Sequence, residues 1–221
     1  MKILHCEQRS PEWIAARLGK LTGSRVGDAF AQPVKGKSEA VGRRNLRIQL
    51  ALERLTGTCQ DGEYTNAAMQ RGVELEPAAR RAYEARTGTL IETVGFIEHD
   101  ELMAGCSPDG LIDTDGLVEF KCHLAPGHLD CLREGIPRAY YLQIWHGLWL
   151  TGRAWGDLVS FHPTFPEPLQ LAITRIHANA ADIAAHELNV RLFLDEVARE
   201  YDEIVELSAH VSFRVCEAMN D

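Results

Sequence analysis

Two short runs carry side chains able to do chemistry. Ser107-Pro108-Asp109 is followed, ten residues after the aspartate, by Glu119-Phe120-Lys121. Side chains alternate along a strand, so Glu119 and Lys121 share one face while Val118 and Phe120 share the other. Between the runs, Asp113-Thr114-Asp115-Gly116 is a hairpin turn signal that folds Asp109 back beside Glu119. Two carboxylates brought this close repel unless a cation sits between them. Hard oxygen donors with few nitrogens suit Mg²⁺, with Mn²⁺ as the alternative. Such an ion binds a phosphate oxygen, lowers the pKa of a bound water and neutralises charge in the transition state. Lys121 can then orient or help deprotonate the attacking water, or stabilise a developing phosphorane, and the Phe120 carbonyl offers a further ligand. A surface hairpin with solvated acids and a Glu–Lys pair fits the same pattern, so the surroundings have to decide.

Those surroundings contain more polar groups. Glu74 and Glu76, in Arg71-Gly72-Val73-Glu74-Leu75-Glu76-Pro77, lie on a preceding helix, and one of them can supply a third carboxylate. Gln143 stands inside the apolar run Tyr140-Tyr141-Leu142-Gln143-Ile144-Trp145. A buried amide needs a partner, in the core or at the site.

The elements that must position these groups follow from periodicity and capping. Ser10-Pro11-Glu12-Trp13 starts a helix with Ser10 as cap, and Gly19 ends it. It puts Trp13, Ala16 and Arg17 on one side. Ser24 is placed to cap a short helix through Phe30. Residues 32–42 read as a polar loop. A helix covers 43–56 with Leu46, Leu50 and Leu55 inward and Arg43, Arg44 and Arg47 exposed. Another runs from Asn66 to Thr87, with a kink or break at Pro77. Strands are expected over Thr89–His99, Met103–Cys106, Gly110–Ile112, Leu117–Cys122, Ala154–Phe161 and Leu169–Ile176, with an apolar helix over 138–151. A long C-terminal helix, 179–207, carries Val190, Leu194, Val197, Tyr201 and Ile204 as a stripe for docking on the sheet, with a coiled-coil seam as the alternative. This order predicts one domain over residues 1–221, an α/β sandwich around a mixed sheet.

Bulk properties narrow the classes. The chain has 221 residues, 45% apolar and 25% charged, which is ordinary for a globular domain and excludes long disorder. No apolar run is long enough to span a membrane, and the N-terminus lacks the apolar core of a signal peptide, so a cytoplasm is the expected compartment. The six cysteines (Cys6, Cys59, Cys106, Cys122, Cys131, Cys216) contain no C-x-x-C pair and read as small apolar fillers. Cys106, Cys122 and His123 are close enough in sequence to be imagined as ligands. The net charge of −9 is unevenly spread: residues 1–54 carry +6 and the rest −15. A basic face can therefore exist on an acidic protein. Lys35, Lys37, Arg43, Arg44 and Arg47 are the candidates to touch a nucleic-acid backbone.

Taken together, the motifs carry a resemblance. Pro11-Glu12-Trp13, Arg17-Leu18-Gly19, Thr22-Gly23-Ser24, Arg71-Gly72, Glu76, Ala79-Arg80, Cys106-Ser107-Pro108-Asp109-Gly110, Glu119-Phe120-Lys121-Cys122, Gln143, Trp149 and Thr151-Gly152 occur in one order from Gln8 to about Leu207. The sequence resembles the phage λ type of alkaline exonuclease, in the YqaJ-like viral recombinase branch of the PD-(D/E)xK nucleases. The resemblance implies a restriction-endonuclease-like core, a mixed sheet flanked by helices. It implies a metal-dependent exonuclease that degrades duplex DNA 5′→3′ to mononucleotides, leaving 3′ single strands for recombination. Asp109, Glu119 and the Phe120 carbonyl would ligate Mg²⁺, two ions in all, with Glu76 supporting the second. Lys121 matches the catalytic lysine and Gln143 the motif glutamine. Arg17, Ser24 and Ser107 match a pocket for a terminal 5′-phosphate, where a guanidinium forks onto phosphate oxygens. Double-stranded DNA ends, a ring-shaped homotrimer and a single-strand annealing protein are the implied partners, and a phage or prophage in a bacterial cell the implied source. Trp145 departs from relatives that carry a second glutamine there. A structure-specific endonuclease and a DNA-binding protein without activity are the alternative readings.

Overall fold

The computed structural model describes residues 1–60 and 67–210. Cys216 and Asn66 lie outside them. The elements are β1 (Lys2–Leu4), α1 (Pro11–Arg17), β2 (Leu21–Thr22), a 3₁₀ turn (Gly23–Arg25), α2 (Val26–Ala29), α3 (Val41–Thr56), α4 (Ala67–Thr87), β3 (Ile91–Glu92), β4 (Phe96–Glu98), β5 (Ala104–Cys106), β6 (Gly110–Ile112), β7 (Gly116–Lys121), α5 (Ala125–Glu134), α6 (Arg138–Thr151), β8 (Trp155–Phe161), β9 (Leu171–His177) and α7 (Ala180–His210). They form a mixed α/β fold, as expected, but with two sheets rather than one. One has the order β1-β4-β5-β2, the other β3-β6-β7-β8-β9. The segment read as a single strand over 89–99 is divided between them: β3 pairs with β6 and β4 with β1 and β5. No helix among the described residues is long and apolar enough to cross a membrane.

The larger sheet is a filling between helices. On one face Val118, Phe120, Val159 and Phe161 pack with Ala79 and Tyr83 of α4. On the other, Leu117 and Leu158 pack with Ile144 and Leu148 of α6. This arrangement fixes the register of β7. A slip of one residue would turn Val118 and Phe120 toward α6 and bury Glu119 and Lys121 among the apolar groups under α4, away from their hydrogen-bond partners.

Several local expectations change. Pro77 does not break α4, which runs unbroken from Ala67 to Thr87 with Pro77 on its exposed side. Leu55 is 40% exposed, while Arg43 and Arg47 are half-buried. The α7 stripe packs mainly on helices: Val190, Leu194 and Val197 join Leu46, Leu50 and Val26 in one cluster, which also takes in Leu21 of β2 and Ala104 of β5. Helix α5 has no counterpart in the sequence reading.

Between α6 and α7 lies a buried histidine pair. His146 Nδ1 and His186 Nε2 are 3.0 Å apart, and the outer nitrogens have no hydrogen-bond partner among the described residues. Burial, and for His146 the second ring, holds the pKa of His146 down to about 3; burial holds that of His186 down to about 4. In the unfolded chain both titrate near the ordinary value of about 6.5. The unfolded state therefore binds more protons below that pH, and stability present above it is lost on acidification toward pH 4. We expect Tm to fall by several degrees between pH 7 and pH 4.5, and less steeply in a His146→Leu/His186→Phe variant. Parallel melting curves for the two proteins across that range would refute the assignment.

Candidate active site on the β6–β7 hairpin

The hairpin brings Asp109 and Glu119 together. Gly110 pairs with Val118, so one step further out the register sets Asp109 opposite Glu119. Asp109 Oδ2 accepts the Phe120 N–H at 2.6 Å. Only glycine fits at 110, because a Cβ there would lie 1.9 Å from Ile91 Cγ2 on β3. Distant side chains hold the hairpin in place. Gln8 donates to the carbonyls of Val94 and Pro108, at 3.0 and 3.1 Å. Arg80 on α4 donates to the Asp109 carbonyl, and Arg71 to that of Cys122. Arg153 donates to the carbonyls of Ile112, Asp113 and Gly116, which clamps the turn. Arg71 and Arg80 were visible as motif residues without a role. Nothing in the sequence pattern marked Arg153.

Glu119 is 6% exposed. Its Oε1 accepts from Lys121 Nζ at 3.0 Å and from Gln143 Nε2, while Gln143 Oε1 accepts from the same ammonium at 3.0 Å. Three side chains thus close a triangle, and Gln143 belongs to the site rather than to a core hydrogen bond. The two helical acids separate. Glu74 is exposed and takes a hydrogen bond from Gln70 within its helix. Glu76 is half-buried, 3.6 Å from Arg9, and its charge reaches Asp109. Burial, then Glu119, then Glu76 push the Asp109 carboxyl well above the usual range, against the opposing pull of Lys121 and the Phe120 N–H. Burial alone would lower the Lys121 pKa, but Glu119 and Asp109 outweigh it and raise it. Lys121 therefore stands as an ammonium, suited to orienting groups and balancing negative charge rather than to taking a proton.

The donor set is oxygen-rich and carries excess negative charge, which fits a hard divalent cation. As placed, each acid is already held by donors, and no three His, Cys, Asp or Glu side chains among the described residues stand close enough to share one ion. The imagined grouping of Cys106, Cys122 and His123 is likewise not assembled as a metal site. Cys106 and Cys131 are buried, Cys6 and Cys122 half-buried and Cys59 exposed.

A second cluster lies beside the hairpin. The Arg17 guanidinium stacks 3.9 Å over the Trp13 ring, and Trp13 Nε1 donates to Ser107 Oγ at 2.7 Å. Arg17 Nη2 donates to Thr22 Oγ1, which lies 3.5 Å from Ser24 Oγ. Trp13 and Thr22 thus link Arg17, Ser24 and Ser107 into one group. Ser24 is not a helix cap; it sits inside the 3₁₀ turn with its side chain exposed. Helix α3 braces this group from behind. Glu53 accepts the Gly19 N–H at 2.8 Å and Arg54 donates to the Gly19 carbonyl at 2.9 Å. Gly19 has φ +67°, and a Cβ there would meet Arg54 Cγ at 2.7 Å.

The five candidate backbone cations divide. Arg43 pairs with Glu196, and Arg47 with Glu39 and Glu200, tying α3 to α7. Lys35, Lys37 and Arg44 are exposed.

Residues 12–154, which contain every acid, base and phosphate-pocket candidate above, match the YqaJ-like viral recombinase domain. Among solved structures, the chain is similar to an alkaline exonuclease, LHK-Exo, from Laribacter hongkongensis. Identity is 39% and the TM-score 0.81, covering 92% of this chain and 100% of that one. LHK-Exo in complex with dAMP matches with the same TM-score and coverage at 40% identity. A phage-related exonuclease from Haemophilus somnus 129PT shares the fold, with TM-score 0.66 and 16% identity over 86% of this chain and 96% of that one. No curated protein matches the sequence.

Crowding of like charge has a measurable cost. Asp109→Asn removes one charge yet keeps an oxygen for the Phe120 N–H. We expect the variant to melt higher at pH 8 by about 2–4 °C, the shift that roughly 1 kcal/mol gives in a chain of this size. The gain should shrink toward acid, because protonating Asp109 relieves the same repulsion. A variant that melts lower than the parent at pH 8 contradicts the electrostatic account.

Proposed function

The chain belongs to the YqaJ-like viral recombinase family, and from that premise we propose a metal-dependent exodeoxyribonuclease. It would shorten duplex DNA in the 5′→3′ direction from 5′-phosphorylated ends, releasing mononucleotides and leaving 3′ single strands. The observation that carries this reading is the placing of Asp109, Glu119 and Glu76 about one hairpin with Lys121 and Gln143 on Glu119. Asp109, Glu119, the Phe120 carbonyl and Glu76 would hold Mg²⁺, two ions in the fullest form. When bound, the ion supplies Lewis-acid stabilisation of the phosphate and a water of lowered pKa.

The chain's own groups do the rest. Lys121, an ammonium held by Glu119 and Gln143, balances negative charge that develops on the phosphate. Gln143 fixes the direction of both neighbours. Arg17, stacked on Trp13, presents a rigid fork to a terminal phosphate, and Ser24 and Ser107 donate beside it. A pocket for a terminal phosphate favours attack at an end over attack within a strand. The complex of LHK-Exo with dAMP accords with a mononucleotide product. A ring-shaped homotrimer, a single-strand annealing partner and a phage-encoded origin in a bacterial cytoplasm extend the proposal by resemblance.

The deciding assay gives the protein Mg²⁺ with linear duplexes bearing 5′-phosphate or 5′-hydroxyl ends, and with circular duplex. We expect acid-soluble nucleotides from the phosphorylated linear substrate only when Mg²⁺ is present, and none from Asp109→Ala. Hydroxyl ends should react about tenfold or more slowly, the worth of a charge-assisted contact. Arg17→Ala should erase that preference. Cleavage of circles would mean an endonuclease, and equal rates on both ends would remove the pocket.

The cations make a separate prediction. Neutralising Lys35, Lys37 and Arg44 together should weaken DNA binding and flatten its salt dependence by up to about three phosphate contacts. Arg43→Ala or Arg47→Ala should instead lower Tm through loss of the α3–α7 pairs. An unchanged salt slope in the triple variant excludes those three residues as contacts.

A further inference from the structure

The sheet face that carries Lys121 continues into a row of polar groups that hydrolysis as described does not use. β7 and β8 run parallel with Lys121 beside Ser160, so both side chains stand on the same face. Ser160 is fully buried. Its Oγ lies 3.0 Å from His123 Nδ1 and 2.8 Å from His128 Nδ1. His128, also fully buried, sets Nε2 2.8 Å from the Leu169 carbonyl oxygen. His123 Nε2 lies 3.3 Å from the Tyr140 hydroxyl. The Tyr140 ring in turn faces Lys121, with Nζ 5.0 Å from its centroid.

Elementary hydrogen-bond chemistry fixes the direction of every link. A carbonyl only accepts, so His128 Nε2 carries the proton. With its proton on Nε2, His128 turns Nδ1 to Ser160 as an acceptor, and Ser160 has a single proton to give it. Ser160 Oγ is thereby left to accept from His123 Nδ1–H. Cys131 Sγ, 3.7 Å from the same nitrogen, is compatible as a second, weak acceptor. His123 Nε2 is bare and takes the Tyr140 O–H. Burial, with the charge of Lys121, holds the His123 pKa below its ordinary range, so the ring stays neutral at pH 7. One carbonyl at the far end of the chain thus orients a tyrosine beside the site.

We propose that His123 is a positioning residue for the hydrolytic step, tethering Tyr140 so that its ring face holds the Lys121 ammonium toward Glu119 and Gln143. The ring's negative face attracts an ammonium within about 6 Å. Without the tether the ring is free to turn, and Lys121 loses one wall of its cage. Lys121 then still binds Glu119 but is aimed less well, which affects turnover and not substrate binding. The inference deepens the nuclease reading and rests on it.

The test measures kcat, KM and Tm on phosphorylated linear duplex with Mg²⁺ for His123→Leu, His123→Gln, Tyr140→Phe and the Leu/Phe double variant. His123→Leu and Tyr140→Phe should each lower kcat about tenfold at unchanged KM and nearly unchanged Tm. The double variant should fall no further, because both single changes cut the same link. His123→Gln, whose amide oxygen can accept the phenol, should recover most of the rate. Wild-type turnover in His123→Leu, or multiplied losses in the double variant, overturns the proposal, as does a rate loss that follows Tm. Should His123→Leu fail to fold, Tyr140→Phe decides against His123→Gln: a Tyr140→Phe enzyme with full kcat also overturns it. A wild-type protein without nuclease activity would sink the proposed function itself, which is a distinguishable failure.

Discussion

Burying one carboxyl beside two others is the constraint this site is built around. Asp109 is buried beside Glu119 and within reach of Glu76, and its carboxyl is pushed well above its ordinary range as a result. An arrangement that costs free energy survives only if the rest of the fold over-determines it. Here the compensation is local and specific. Lys121 and Gln143 satisfy Glu119, the Phe120 N–H satisfies Asp109, and Arg9 faces Glu76. Solvent cannot cheaply replace Lys121 and Gln143 at Glu119, because Glu119 is buried and Lys121 half-buried, whereas the Arg9–Glu76 pair is open to water. Crowded charge with its counter-charges supplied from fixed elements is the arrangement the proposed metal-dependent chemistry would need.

The scaffold follows from that need. A hairpin alone is marginal in water. This one is pinned between α4 and α6, whose apolar faces decide which way each β7 residue points. Backbone carbonyls at its two ends and its turn are bound by Arg80, Arg71 and Arg153, so the frame is held by charge-assisted bonds where apolar packing does not reach. The cluster of Arg17, Ser24 and Ser107 is braced in the same manner: Glu53 and Arg54 of α3 hold both polar groups of Gly19. In each case a side chain from a rigid helix fixes the backbone next to a functional group.

Features with a short physical period were legible in the sequence. Alternation placed Glu119 and Lys121 on one face, the Asp113–Gly116 turn returned the chain, and Ser10 capped α1 through the Trp13 N–H as read. Features decided by partners were not. Glu74 and Glu76 differ only in which side of α4 they occupy: periodicity left both open, the resemblance pointed to Glu76, and the packing sets Glu76 toward Asp109. The stripe on α7 announced that it needed a partner but not that α3 would be the partner. The run 89–99 looked like one strand because β-branched residues continue through it. Gly95 lets the backbone come so near Cys6 that a Cβ would meet its carbonyl at 2.4 Å, and the chain changes sheets there. Helix α5 opens Ala125-Pro126-Gly127, which reads as a loop, and Pro126 in its first turn is what permits the helix.

Charge shows why sequence position is a poor guide to surface. The +6 of residues 1–54 suggested a basic face, yet much of it is neutralised inside the molecule. Arg43 and Arg47 meet acids of α7, Lys2 and Lys20 meet Glu98, and Arg54 turns inward to Gly19. The acidic remainder of the chain is therefore partly the counter-charge of the basic third rather than a separate outer surface. Of the five candidate backbone cations, three stay exposed: Lys35, Lys37 and Arg44. A few cations near a site and acids elsewhere give weak general attraction with strong local selection. That balance is what the proposed exonuclease would need, because each backbone contact that adds affinity also adds to the cost of the next step along a strand.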